Sequence, residues 1–213
     1  LEVRATELVC LLGPNGAGKS TVMNAITGLV PRRAGSIAFL GQDLAPVATH
    51  EMVGCGIAHV LERRRLFPTL TVRQNLLLGA YHPSARAQRE DRLAWVEELF
   101  PLLVERRDQY AGLMSGGEQQ TVAIARGLMS RPKLLMIDEP FLGLSPTAID
   151  RILDTVQRVN RSGVAVLFTE QNVQLALSVS HRGYVLESGR IAAEGKGAEL
   201  LDHELVRRVY LGL

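Results

Sequence analysis

Leu8-Val9-Cys10-Leu11-Leu12-Gly13-Pro14-Asn15-Gly16-Ala17-Gly18-Lys19-Ser20-Thr21 carries the fold assignment. Glu7 to Leu12 holds a short apolar run, Leu8 to Leu12, ended by glycine, the pattern of a strand buried on both faces. Gly13 to Ser20 then fit G-x-x-x-x-G-K-[ST], a loop whose glycines let backbone N–H groups wrap a phosphate. Ser20 to Leu29 reads as the helix that this loop opens, and the partial charge at its N-terminus favours an anion. Lys19 would reach the β- and γ-phosphates of a nucleoside triphosphate, and the Ser20 hydroxyl would ligate Mg²⁺. Gly13, Pro14, Asn15, Gly16, Ala17, Gly18, Lys19, Ser20 and Thr21 are thus the expected nucleotide-binding residues.

The same composition recurs along the chain. Ile57 to Val60, Lys133 to Ile137 and Val164 to Phe168 read as further buried strands. Ser36 to Leu40 reads as a shorter one followed by a turn at Gly41-Gln42-Asp43. Ser145 and Pro146 form an N-cap and first-turn pair. Ile149, Ile152, Leu153 and Val156 follow at helical spacing, with Asp154 and Arg158 paired on the outer face. After Asn172 come a helix, two strands near Tyr184 to Glu187 and Ile191 to Glu194, and a helical tail. Between Leu61 and Gly112 the character changes. Leu76, Leu77 and Leu78, then Leu93, Val96, Leu99 and Phe100, predict amphipathic helices forming an insert. Alternating strands and helices predict an α/β fold with a mostly parallel sheet covered on both faces, whose ligands bind at the carboxyl ends of the strands.

Two more motifs belong at such a place. Leu134 to Ile137 runs into Asp138-Glu139. Beside a phosphate loop, Asp138 is the expected Mg²⁺ acid, and Glu139, one residue on, would orient and polarise an attacking water. Ser115-Gly116-Gly117-Glu118 has the S-x-x-E spacing of a capping box. Val122, Ala125 and Met129 continue one apolar helix face behind it. A capped helix start with two glycines bares N–H groups and a hydroxyl, which suits a γ-phosphate.

Bulk properties restrict the alternatives. At 213 residues the chain can bury a substantial core. Lys plus Arg number 24 against 22 for Asp plus Glu, a net charge of +2, which gives no footprint for nucleic acid. Cys10 and Cys55 make no disulfide framework and read as reduced thiols. No apolar run approaches the ~20 residues that span a bilayer, so contact with a membrane would be indirect, through a partner. Arg63-Arg64-Arg65 reads as a solvated charge run, and Trp95 as packing for the helical insert.

Taken together, Gly13 to Ser20, Ser115 to Gln120, Asp138-Glu139-Pro140 and Leu142-Gly143-Leu144 resemble the ATPase subunits of ABC transporters. The likeness covers nearly the whole chain. Glu170-Gln171-Asn172, Arg182 to Glu187 and Gly189-Arg190 are similar to the branched-chain amino acid importers of that family. The resemblance implies a single P-loop NTPase domain with a mostly parallel core, an antiparallel β portion and a helical insert lobe. Residues 1–60 and 131–213 would form the nucleotide-binding core, and residues 61–130 the lobe that carries the signature motif.

The resemblance also implies ATP and Mg²⁺ as ligands, with Ser20, Asp138 and His59 at the metal and Glu139 and Gln171 as catalytic groups. His59 falls at the family's glutamine position, Gln171 at its switch histidine, and Ser145 at an aspartate. The aromatic residue that stacks on adenine would lie upstream of Leu1. Ser115, Gly116, Gly117 and Glu118 would serve the nucleotide of a second ABC ATPase subunit, like or unlike this one. Transmembrane permease subunits would be the other partners, at the cytoplasmic side of the inner membrane. The implied function is ATP hydrolysis that powers import of branched-chain or related amino acids. The alternatives are a soluble ABC ATPase or a non-hydrolysing nucleotide-binding regulator.

Overall fold

The computed structural model describes residues 1–203 and Val206. In chain order its elements are β1 (Leu8–Leu12), α1 (Lys19–Ile26), β2 (Ala38–Phe39), β3 (Gln42–Asp43), α2 (Met52–Cys55) and β4 (Ile57–Val60). Next come α3 (Val72–Leu78), α4 (Pro83–Arg86), α5 (Arg89–Leu99), α6 (Pro101–Glu105) and α7 (Gly116–Leu128). The remainder is β5 (Leu134–Ile137), α8 (Pro146–Arg161), β6 (Ala165–Glu170), α9 (Val173–Val179), β7 (Arg182–Glu187), β8 (Arg190–Lys196) and α10 (Gly197–Leu201). Beyond α10 the expected helical tail lies outside the described residues, Val206 excepted.

Six strands form one sheet in the order β4-β5-β6-β1-β7-β8. The first five run parallel and β8 is antiparallel to β7, so the mostly parallel sheet with an antiparallel portion is borne out. Every residue of β1, β5 and β6 is buried, which is why these strands read as continuous apolar runs. Ser188 and Gly189, with φ of 48° and 78°, close the β7–β8 hairpin in the left-handed conformations that a tight two-residue loop requires.

The stretch expected as a strand over Ser36–Leu40 is shorter. Only Ala38 and Phe39 pair, with Asp43 and Gln42. The turn is made by Leu40 and Gly41, both left-handed, so Gln42 and Asp43 belong to a strand and not to the turn. Helix α1 also stops early. The Thr27 hydroxyl bonds back to the Met23 and Asn24 carbonyls, and Gly28 turns away at φ 72°.

On one face of the sheet, Leu8, Cys10 and Leu12 join Leu135, Ile137 and Phe168. Helices α3, α5, α7, α8 and α9 cover them in one continuous core. Trp95 packs against that core, with the Arg131 guanidinium 5.7 Å from its ring centroid. Arg158 pairs with Asp154 at 2.5 Å and also donates to the Leu99 carbonyl at 2.9 Å, tying α8 to the end of α5. On the other face, Val9, Leu11, Met136 and Leu167 form a second core with Met23 and Tyr184. That side opens into a cavity of about 1320 Å³ lined by Val22, Ile26, Ile37, Phe39, Leu134 and others. This cavity is mainly apolar and shares only Thr21 with the phosphate site described below, so it is not where the chemistry gathers. No helix among the described residues is long and apolar enough to cross a membrane. Both cysteines are free, and burial pushes the Cys10 thiol up to about 12.

Gly79, the residue that ends α3, lies directly against the C-terminal end of α7. A Cβ there would run into the Arg126 carbonyl oxygen and lie 2.9 Å from the Met129 Cβ. Gly79→Ala must therefore push α3 away from α7, and the expected loss is about 1–3 kcal/mol in urea denaturation. Unchanged stability would mean that the two helices are not in contact at this point.

Candidate nucleotide site

Strands β5, β6 and β1 are neighbours, and their carboxyl ends deliver three loops to one edge of the sheet. The register sets Leu12 beside Glu170 and Ile137 beside Phe168. The residues after each strand end are therefore adjacent in space although far apart in the chain. The Gly13 N–H donates to the Glu170 carbonyl at 3.3 Å and so anchors the start of the phosphate loop to β6.

Lys19 is buried, and its ammonium uses three acceptors: the Gly13 carbonyl at 2.8 Å, the Pro14 carbonyl at 3.3 Å and Glu139 Oε1 at 3.0 Å. Asp138, also buried, accepts at Oδ1 from the Thr169 hydroxyl at 2.6 Å and from Ser20 Oγ at 3.2 Å. Thr169 Oγ1 in turn accepts the Glu139 N–H at 2.9 Å. Glu139 has φ 48°, a left-handed conformation uncommon for a non-glycine residue. That twist lets consecutive carboxylates serve different groups: Asp138 faces Ser20, and Glu139 faces Lys19. The Gln171 amide donates to Glu139 Oε1 and Oε2, both at 3.3 Å.

These groups border a cavity of about 300 Å³, lined by Pro14, Asn15, Gly16, Gly18, Lys19, Ser20, Thr21, Glu62, Glu139, Leu142 and Gln171. Of the expected nucleotide-binding residues, Gly13 and Ala17 stand behind this lining. Gly13 passes directly under the Leu186 carbonyl, where a side chain would clash. Ala17 is buried, and its carbonyl accepts from the Gly189 N–H at 3.0 Å.

His59 is placed differently from expectation. Its Nδ1 lies 3.3 Å from Thr27 Oγ1, and its Nε2 is buried with no hydrogen-bond partner among the described residues. Burial lowers its pKa, partly offset by the charge of Asp138, so the ring is neutral at pH 7. His59 does not line the cavity; Glu62, three residues on, does. The physical reason is register. His59 is still within β4, paired with Met136, whereas Glu62 follows the strand end and can turn over the site. Glu62 thus lines the cavity while His59 stands behind it, its contacts being with Thr27 and the charge of Asp138.

Arg63 and Arg65 are exposed, as expected of a solvated run, and Arg64 is half-buried. All three are left-handed, at φ 62°, 64° and 45°. The Arg126 guanidinium of α7 donates to the Arg64 and Arg65 carbonyls at 3.2 and 2.8 Å and lies 5.8 Å from the Phe67 ring centroid. The loop that carries Glu62 is thereby fastened to α7.

Ser115, Gly116, Gly117 and Glu118 lie at the opposite, N-terminal end of α7. The Ser115 hydroxyl accepts the Glu118 N–H at 3.4 Å, and Glu118 Oε2 accepts the Ser115 N–H at 2.8 Å, a reciprocal capping box. That backbone hydrogen bond from Ser115 holds the Glu118 carboxyl below its ordinary pKa. None of the four residues lines the cavity. A Cβ on Gly117 would come within 2.9 Å of Ala148 Cβ, so its bareness is also what lets α8 pack there.

A parallel sheet with a phosphate loop at the end of its central strand, backed by a lysine and two acids, defines a P-loop nucleotide-binding ATPase. The profile of the ABC transporter family matches residues 1–142. Over its whole length the chain is 45% identical to the high-affinity branched-chain amino acid transport ATP-binding protein BraG of Pseudomonas aeruginosa, covering 91% of that protein. It is 38% identical, again over its whole length, to the lipopolysaccharide export system ATP-binding protein LptB of Escherichia coli, covering 88% of it. The crystal structure of an ATP-binding cassette of an ABC transporter in its ADP conformation superposes with a TM-score of 0.88 at 27% identity, covering 100% of this chain and 91% of that one. The chain belongs to the ABC transporter family, as an ATP-binding subunit that hydrolyses ATP.

Proposed function

We propose that the chain powers an importer of branched-chain or related amino acids, working against a second ABC ATPase subunit and beneath membrane-spanning permease subunits. The observation that carries the mechanism is the separation of the two phosphate-seeking features. The cavity holds Lys19, Glu139 and Gln171, while the capped N-terminus of α7 contributes nothing to its lining. Two chains set head to tail bring the Ser115–Glu118 cap of each to the nucleotide of the other.

In the filled site, backbone N–H groups of Gly16 and Gly18 bind the phosphates, and the γ-phosphate draws Lys19 away from Glu139. The freed carboxylate, kept in place by the Gln171 amide, accepts a proton from the attacking water. The Ser20 hydroxyl and the Asp138 carboxylate are hard oxygen donors already 3.2 Å apart, a set that fits Mg²⁺, whereas the nitrogen of His59 does not. Mg²⁺ held by Ser20 and Asp138 would neutralise charge on the phosphoryl oxygens. Release of ADP and phosphate lets the two chains part. Closing and parting are the stroke delivered to the permeases.

Likeness to BraG over the full length supports amino-acid import; likeness to LptB supports the competing reading, lipopolysaccharide export. Expressed in Pseudomonas aeruginosa lacking BraG, the chain is expected to restore high-affinity leucine uptake measured with radiolabel. In Escherichia coli depleted of LptB it is expected not to restore growth. The reverse pattern would overturn the importer reading in favour of export.

A further inference from the structure

Glu170 is a third acid at the strand ends, and neither Lys19 nor any other cation forms an ion pair with it among the described residues. It is 5% exposed. Burial raises its pKa and the nearby Glu139 charge adds to that, while the Asn172 and Gln171 N–H groups and, least of all, Lys19 pull the other way. A carboxylate kept in such a place weakens the fold unless its hydrogen bonds do something. Both of its side-chain bonds go through one oxygen: Oε2 accepts the Gln171 N–H at 2.5 Å and the Asn172 N–H at 2.9 Å. These are the two residues that turn the chain from β6 into α9. Asn172 then caps α9 by accepting the Leu175 N–H at 3.0 Å. The backbone of Gln171 is therefore fixed from behind by Glu170, and its amide reaches both Glu139 oxygens.

We propose that Glu170 is a positioning residue for ATP hydrolysis, whose buried carboxylate oxygen fixes the β6–α9 turn and so aims the Gln171 amide at Glu139. What matters is an acceptor at the position of Oε2, not the negative charge. This role rests on the assignment of Glu139 and Gln171 as catalytic groups. It adds that the turn is built by the side chain of the preceding residue.

The test compares Glu170→Gln with Glu170→Asp in steady-state ATPase assays on the purified protein. Gln can place an oxygen where Oε2 lies and is expected to retain most of the turnover and to melt no lower than wild type. Asp keeps the charge but withdraws the acceptor, and kcat should fall on the order of 10- to 100-fold with KM for ATP within about twofold. In a Gln171→Ala background, Glu170→Asp should cost nothing further, because the residue it positions is gone. Glu170→Gln as slow as Glu170→Asp would overturn the proposal by showing that the charge itself is needed. Full additivity with Gln171→Ala would overturn it by showing that Glu170 acts elsewhere. Wild-type turnover in Gln171→Ala alone would instead sink the underlying assignment of Gln171, an outcome visible before Glu170 is touched.

Discussion

Glu139→Gln is expected to lower steady-state ATP turnover by roughly 10²–10⁴-fold while leaving ATP binding close to wild type. The substitution preserves shape, so the left-handed backbone at residue 139 and the Thr169 contact to its N–H remain available. It removes the one group in the cavity that both pairs with Lys19 and is held by Gln171. An amide cannot take a proton from water, whereas the phosphate contacts of the loop and Lys19 do not depend on it. Bound ATP then persists, and on the proposed arrangement the paired chains cannot part. Size-exclusion chromatography with ATP should show a dimer that wild type clears by hydrolysis. A mutant that releases phosphate at the wild-type rate would end the assignment of Glu139.

Ser115→Arg should be nearly as severe by a different route. The Ser115 hydroxyl is one half of the capping box, and loss of such a cap costs about 1 kcal/mol, too little to unfold the chain. Because the cap lies outside the chain's own cavity, nucleotide affinity of the isolated subunit should change less than about twofold. The bulky cation would instead fill the space meant for the phosphate of a facing chain. ATP-driven association should vanish, and turnover with it, by about 100-fold or more. Analytical ultracentrifugation with and without ATP, beside a fluorescent-nucleotide titration, separates the two effects. An equal loss of binding and association would place the α7 cap in its own chain's site, contrary to the proposal.

What could be read in advance was local in the sequence. The phosphate loop, the acids after β5 and the capping box each lie within a few residues, where spacing alone signals geometry. Glu62 was hidden because the turn that brings it over the cavity uses arginines, not glycines, in left-handed conformations, so no turn residue marked it. Its support comes from Arg126, more than 60 positions away. Thr169 falls outside the strand read over Val164 to Phe168, and Glu170 stands out only as part of the Glu170-Gln171-Asn172 motif. Their roles depend on the parallel register of β6 with β1 and β5, which no local pattern reports. The brevity of β2 was likewise illegible, since Ser36 to Leu40 has strand composition and only the pairing limits it to two residues.

The place of β1 in the sheet also orders events during synthesis. Its hydrogen-bonded neighbours are β6 and β7, residues 165–170 and 182–187, both made long after β1 itself. Until those strands emerge, the phosphate loop has no sheet to stand on and Gly13 has no Glu170 carbonyl to bind. Asp138 and Glu139 wait equally for Thr169. Closing so long a loop is slow, and it comes late. A chain interrupted before β6 therefore holds every residue of the phosphate motif and no place to put ATP. Nucleotide cannot rescue such an intermediate, and the first chain able to bind it is one in which β6 and β7 have already paired with β1.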